Sequence, residues 1–455
     1  MKTKKRQWLG FSLALCIGVL SGCSGGSGTG TNGGGGSSGT GGGESPASAP
    51  APAASTEPVE LVFWFHVGSI TNNEGFMSAF GNKIKEKFPH VTPKFIAPSN
   101  SVNLKSLVES KQPIDIFYDA YGQIYSYLME YNLQYDISGL IQTHKYDVSR
   151  LEPTAVAAMR QIAGGGMYGL PVTVDSVNLI YNKTLFERFG VPAPKDGMTW
   201  DDVYELTRKM SRTESGVQYY GMGMSPGAVA NGDPLSPVFI DPVKHQGLFA
   251  SEKPRRMFET LTQFYRIAGN EVDSTTSAYA TQLKLFSEQR LAMMLGPNAL
   301  GTRYFADKDP NLEWDIVSYP RYKEAPNAGP QLAPGYFLIP VTSTHKETAF
   351  QVAAYVTSEE FQKHLARRGY SPALQGTDIW SEYGKDLPYM RNKHLKAMIP
   401  DQPAPIAPLS KYQALAAPEF TQIFHDIATN AKDINTALRE ADERINKKIA
   451  EQMAK

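Results

Sequence analysis

Cysteine is nearly missing from this chain: Cys16 and Cys23 are the only two in 455 residues. No disulfide framework can staple the remaining sequence, so the fold must rest on its hydrophobic core. Charge of one sign is also lacking. Lys and Arg number 45, and Asp and Glu number 45, which leaves no basic footprint for nucleic acid. No apolar run is long enough to cross a bilayer. The stretch Trp8–Leu20 falls short of the ~20 residues a spanning helix needs. Phosphate-loop and His-Glu-x-x-His motifs are missing, and the eight histidines are scattered singly. Nucleotide hydrolysis of the P-loop type and metal capture are therefore not expected, and no cofactor or metal is assigned. Gly164-x-Gly166-x-x-Gly169 fits a dinucleotide pattern but leads into a strand, which is the wrong context.

The N-terminus carries an address. Lys2, Lys4, Lys5 and Arg6 form a basic patch before the apolar run, as in a secretory signal. Leu20-Ser21-Gly22-Cys23 follows and resembles the bacterial lipobox, in which the cysteine thiol takes a diacylglycerol after cleavage. Residues 1–22 are expected to be removed and Cys23 lipidated, which accounts for an otherwise unpaired exported thiol. Removing four basic residues leaves 41 against 45 acidic ones, a formal charge of −4. Residues 23–58 are Gly, Ser, Thr, Ala and Pro with almost no large apolar side chain, and read as a disordered tether. Matches there to a nucleophile elbow (Gly22 to Gly26) and a dinucleotide fingerprint (Gly28, Gly30, Gly33) lack flanking strands and helices. They are accidents of composition.

From Val59 onward about 400 residues remain, too many for one core, and two domains are expected. The first stretch alternates strands and helices. Glu60–Phe65 is a continuous apolar run suited to a buried parallel strand. Phe76, Phe80, Ile84 and Phe88 mark an amphipathic helix between Gly75 and Pro89. Val91–Ile96, a helix over 104–110 and a strand over 115–118 complete a βαβαβ pattern that predicts a doubly wound sheet. Further on come a strand over 177–181 and a helix over 183–189. Thr199-Trp-Asp-Asp202 then has the form of a capping box. Strands over 291–295, 314–317 and 336–339 and helices over 346–357 and 359–367 follow. A final helix from Asp433 has Ile434, Leu438, Ala441, Ile445 and Ile449 on one stripe. Its opposite face, with Glu440/Arg444 and Glu443/Lys447 pairs, reads as simply solvated.

Gly169-Leu-Pro-Val-Thr-Val-Asp-Ser-Val-Asn-Leu-Ile-Tyr-Asn-Lys183, Leu185-Phe186, Gly190-Val-Pro192 and Thr199–Asp202 together resemble the extracellular solute-binding proteins, family 1, the maltose-binding-protein-like receptors of ABC importers. Leu291–Pro297, Pro334–Ile339, Ser358–Gln362 and Gly369–Pro372 extend the resemblance in the same order. It implies an α/β, two-lobed periplasmic-binding-protein-like (type II) fold with ligand in a hinge-bounded cleft. The chain should cross between lobes near Tyr168–Thr173, Tyr319–Pro334 and Tyr370–Pro372. That divides it into 59–170 plus 335–371 as lobe 1 and 171–334 plus 372–455 as lobe 2. The implied protein is a non-enzymatic, monomeric lipoprotein on the extracytoplasmic face of a cell membrane. It would take a mono- or oligosaccharide to a pair of ABC permease subunits. The alternatives are a sensory receptor presenting solute to a membrane kinase and, from a different class, a surface glycosidase built on a carboxylate pair.

Candidate ligand contacts lie just past the expected strands: Phe65, His66 and Asn73 in the first loop, Asp119 after the third strand, and Thr173 and Asp175 at the expected hinge. Each has a plainer reading, such as core packing for Phe65 and His66 and a helix cap or turn for Asp119. Asp175 is the leading candidate, because a carboxylate accepts hydrogen bonds from vicinal hydroxyls. Asn298 stands where maltose-binding relatives carry a tryptophan that stacks on the sugar. Among aromatics that could replace that platform, Trp64, Tyr121, Tyr125 and Tyr336, the best placed is Tyr336, and Trp64 reads as core.

Overall fold

The computed structural model describes residues 57–454, apart from 69, 225, 274, 298–304, 306–308, 310 and 401. The signal, Cys23 and all but the end of the tether lie outside the described residues, as does Asn298. Among the described residues no helix is long and apolar enough to cross a membrane.

The strands in chain order are β1 (Val59–Phe65), β2 (Val91–Ile96), β3 (Ile116–Ala120), β4 (Gly169–Asp175), β5 (Val177–Asn182), β6 (Arg212–Glu214), β7 (Val217–Met224), β8 (Leu291–Pro297), β9 (Trp314–Val317), β10 (Gly329–Gln331), β11 (Ala333–Leu338) and β12 (Pro403–Ala404). They form two five-stranded sheets, β2-β1-β3-β11-β4 and β6-β7-β8-β5-β9, and a small β10-β12 pair. These sheets are the frames of two lobes.

In the first lobe β1, β2 and β3 run parallel, as the βαβαβ pattern requires, and β11 returns antiparallel between β3 and β4. Phe76, Phe80 and Ile84 are buried at i, i+4 spacing along the helical segment after β1. They meet Phe63, Phe65, Phe95 and Phe337, with Phe76 and Phe95 stacked 4.8 Å apart. Such offset and edge-on ring contacts add to the burial of apolar area that holds the layer together.

The second lobe explains the unbroken apolar run of β5. Leu179 and Tyr181 enter one core cluster, with Trp200, Val203 and Met210 and the last two helices. Ile180, on the other face, enters a second cluster with Phe286, Met294 and Trp314. A strand covered on both faces cannot alternate apolar with polar. The capping box at Thr199 is closed by both of its bonds, Thr199 N–H to the Asp202 carboxylate (2.8 Å) and Asp202 N–H to Thr199 Oγ1 (3.3 Å).

Two sequence expectations need correction. First-lobe pairing continues through Pro171 and Thr173 to Asp175, opposite Tyr336, Gly335 and Ala333, so the chain crosses later than expected, at Ser176. Nothing in the apolar run marks the change of sheet, because the connection is one residue long. The polar face of the last helix (Ile434–Met453) is also more than solvated. Arg444 and Lys448 grip the carboxylate of Glu419, which is only 4% exposed, at 2.7 and 2.9 Å. Glu443 pairs with Arg439 rather than Lys447. Glu419 lies on the preceding helix (Ala416–Ala428), so its partners could not be read from spacing along one helix.

The second crossing is fastened by a buried acid. Asp233, just past the helix Pro226–Gly232, accepts from Tyr322 Oη (2.7 Å) and Leu235 N–H (2.9 Å), and its carbonyl accepts from Gln331 (3.0 Å). Complete burial pushes its carboxyl up to about 7 from 3.8, against the pull of these donors and of Arg256. Between those two values the folded chain keeps a proton that the unfolded chain has lost. The stabilisation is therefore full below about pH 4 and is lost as pH rises through 7. Relative to Asp233→Asn, wild type should lose on the order of 4 kcal/mol across that range. Urea denaturation of both proteins at a series of pH values measures the difference, and parallel pH profiles would contradict it.

Candidate ligand cleft

Ligands of open α/β sheets bind beyond the carboxyl ends of strands, where the backbone opens into loops. Here β1, β3 and β4 end together, at Phe65, Ala120 and Asp175. The second sheet brings its own carboxyl ends to the same junction. Val177, the first residue of β5, pairs with Pro297, the last of β8, and β7 runs parallel to β8 to end at Met224. The two lobes thus present strand ends at a shared crossing.

Asp175 sits at that crossing, one residue before the chain enters the second lobe. Its Oδ1 accepts from Ser176 N–H at 2.8 Å. Three phenols lie within reach of its charge: Tyr118 from β3, Tyr279 from the helix Tyr279–Ser287, and Tyr383 from the stretch after the third crossing. Burial first, and the Asp175 charge with it, pushes Tyr118 and Tyr279 up to about 12 and Tyr383 higher still. All three remain neutral hydroxyls able to donate and accept. Tyr118 Oη meets Thr173 Oγ1 at 2.8 Å, reaching across the intervening strand β11. Gly335 makes that reach possible. A Cβ there would fall on the Tyr118 hydroxyl and 2.8 Å from Thr173 Oγ1. Gly296 serves Tyr279 in the same way, since a Cβ would lie 2.6 Å from its hydroxyl.

A second polar group closes the end of β1. His66 Nδ1 lies 3.0 Å from Asp119 Oδ1, which also accepts from Ala120 N–H at 2.9 Å. Asp119 is fully buried, and that burial raises its carboxyl above the ordinary carboxylate value despite the pull of His66. Beside the end of β3 a cavity of about 190 Å³ opens between residues of both lobes, among them Tyr121, Gln123, Asn231, Gln331, Pro334 and Gln413.

Of the expected contacts, Thr173 and Asp175 come together, and His66 joins Asp119 nearby. Phe65 is placed elsewhere: it is buried in the aromatic core against Phe76, Phe80, Phe95 and Phe337. Tyr336 is fully buried too, its hydroxyl donating to Ala155 O at 2.8 Å, so it offers no stacking platform. The reason is that β1 and β11 are covered on both faces, so their large side chains pack inward whichever face they take. Asn73 is exposed on the first turn of its helix, and the cap is Asn72, which accepts from Gly75 N–H. Tyr118, Tyr279 and Tyr383 went unassigned in the sequence. Gly335 and Gly296 were a signal for the first two, since each glycine sits in a quoted motif. Tyr383 had none. Among the described residues no group of three or more His, Cys, Asp or Glu is placed to hold a metal ion.

Two sheet-framed lobes, joined by crossing strands with polar side chains gathered at the junction, define a hinged binding protein. Residues 68–363, more than half of the chain, match the family of bacterial extracellular solute-binding proteins, and the chain belongs to that family. No curated protein matches the sequence. Solved structures do match in fold. An ABC substrate-binding protein from Listeria monocytogenes, in complex with cycloalternan, is 18% identical with a TM-score of 0.69, over 87% of this chain and 100% of that one. A sugar transporter from Rhizobium etli in an open conformation is 17% identical at 0.70, over 85% and 99%. The sugar-binding protein of Xanthomonas citri is 16% identical at 0.67, over 87% and 98%.

Replacing Gly335 by Ala should break the Tyr118–Thr173 bond by forcing the phenol aside. The expected result is a folded protein whose crystal structure has Tyr118 rotated away from Thr173. An unmoved phenol would show that the glycine is not what allows the reach.

Proposed function

We propose that this chain is the substrate-binding component of an ABC importer and that its ligand is a carbohydrate or polyol held at the Asp175 junction. The observation that carries this reading is the Asp175 carboxylate at the crossing, with Tyr118 of one lobe and Tyr279 of the other near enough to feel its charge. A sugar's vicinal hydroxyls need acceptors and donors at close spacing, and a carboxylate accepting two of them gives charge-assisted bonds. The solved proteins that share the fold are described as sugar-binding or sugar-bound, which supports the same class. Ligand held by one lobe would be completed by contacts from the other, so binding favours the closed form by its differential affinity for the two states. Closed-form surfaces would let a permease pair recognise the loaded receptor. A diacylglycerol on Cys23, with the tether behind it, would keep the receptor beside that permease. The role is capture and delivery, without turnover of the ligand.

A thermal-shift screen with maltotetraose, mannotriose and D-mannitol tests this, because a ligand selective for the folded state raises the melting temperature. At least one should raise it, and Asp175→Ala should remove most of the rise. An undiminished shift in the variant would place the ligand elsewhere, and no shift with any carbohydrate would reject the ligand class.

A further inference from the structure

His66 and Asp119 form a unit whose two members have different access to a ligand. Asp119 is fully buried, so it cannot touch anything in the cleft. The His66 ring is 20% exposed at the end of β1 and is held on three sides. Its backbone N–H bonds to Tyr118 O at 3.0 Å. Its ring stacks over Trp64 at 5.9 Å and against Tyr127 at 3.5 Å. Its Nδ1 is bound to Asp119 Oδ1 at 3.0 Å. Such a ring cannot flip without losing the Asp119 bond, and its orientation is set.

The direction of that bond follows from Asp119. Oδ1 already accepts the Ala120 N–H, so it is the accepting oxygen of the carboxyl group, and any proton on the acid would sit on Oδ2. Oδ2 is buried with no partner among the described residues. The His66 Nδ1 must therefore be the donor. In a neutral imidazole that leaves Nε2 as a bare acceptor, the opposite of the tautomer that predominates in free histidine. Among the described residues Nε2 has no hydrogen bond of its own.

We infer that Asp119 acts on the ligand through His66, as a positioning residue that fixes the Nδ1–H tautomer and presents Nε2 as an acceptor for a ligand hydroxyl. This rests on the cleft assignment above and sharpens it: with Asp175, the wall offers two acceptors and selects molecules rich in hydroxyl donors. A methylated or otherwise capped sugar would lose the His66 contact.

Two measurements test it. Long-range ¹H–¹⁵N correlation spectra of the full chain in mildly alkaline solution report each histidine tautomer, with His66 assigned by its loss in His66→Ala. The expected pattern is Nδ1–H for His66 in wild type, and its loss in Asp119→Ala, which removes the accepting oxygen. An Nε2–H pattern in wild type would overturn the inference, and this arm needs no ligand. The second is a double-mutant cycle on the affinity for whichever of maltotetraose, mannotriose and D-mannitol binds wild type best. Asp119→Ala should weaken binding about tenfold in the wild-type background and less than twofold in the His66→Ala background. Equal losses in both backgrounds would mean that Asp119 acts only on the fold. Should none of the three bind wild type, the carbohydrate reading falls and the spectra alone decide the tautomer.

Discussion

The junction from Asp175 to Val177 is the constraint on which the rest of the structure depends. Asp175 is the last residue paired in the first sheet, Val177 is the first paired in the second, and Ser176 alone lies between them. A one-residue link cannot let the sheets drift apart, so the strand ends of both lobes stay beside one carboxylate however the lobes turn. The second crossing is held by the Asp233–Tyr322 bond, and the third is tied to β4 by the pairing of Thr173 with Pro372. Motion is thereby channelled into rotation about these connections, which is what hinged capture requires.

Buried acids are handled in three ways, each suited to its place. Glu419 is met by two cations, a pairing that lets it stay ionised and ties the last two helices together. Asp233 has only neutral donors for direct partners, so burial moves its titration towards neutrality. Asp119 has one oxygen satisfied and one bare, an arrangement that costs stability and persists in the wall of a proposed site. Asp175 differs from all three in being only partly buried, at the crossing between the two sheets, with phenols from both lobes close enough to feel its charge.

Much of this architecture was legible because burial imposes period. The i, i+4 spacing of Phe76, Phe80 and Ile84, the continuous run of β5 and the Thr199 capping box each reflect a local rule, and each formed. A motif singled out Thr173 and Asp175, and both lie at the carboxyl end of β4. What escaped was set by the other partner in a contact. Nothing local distinguishes Phe65, buried at the end of β1, from His66 just past it, because both faces of that strand are covered and only the strand's end decides. Tyr118 needs a glycine 217 positions away, at 335, to reach Thr173. Arg444 resembled a solvated residue until the helix bearing Glu419 was laid against it.

The central claim is that the lobes turn about the Asp175 junction and close on a carbohydrate. Small-angle X-ray scattering of the tether-free chain, with and without saturating sugar chosen from the thermal-shift panel, reads that turn directly. A decrease in the radius of gyration on adding sugar, absent in Asp175→Ala, is the predicted result. An unchanged radius at saturation would contradict the account.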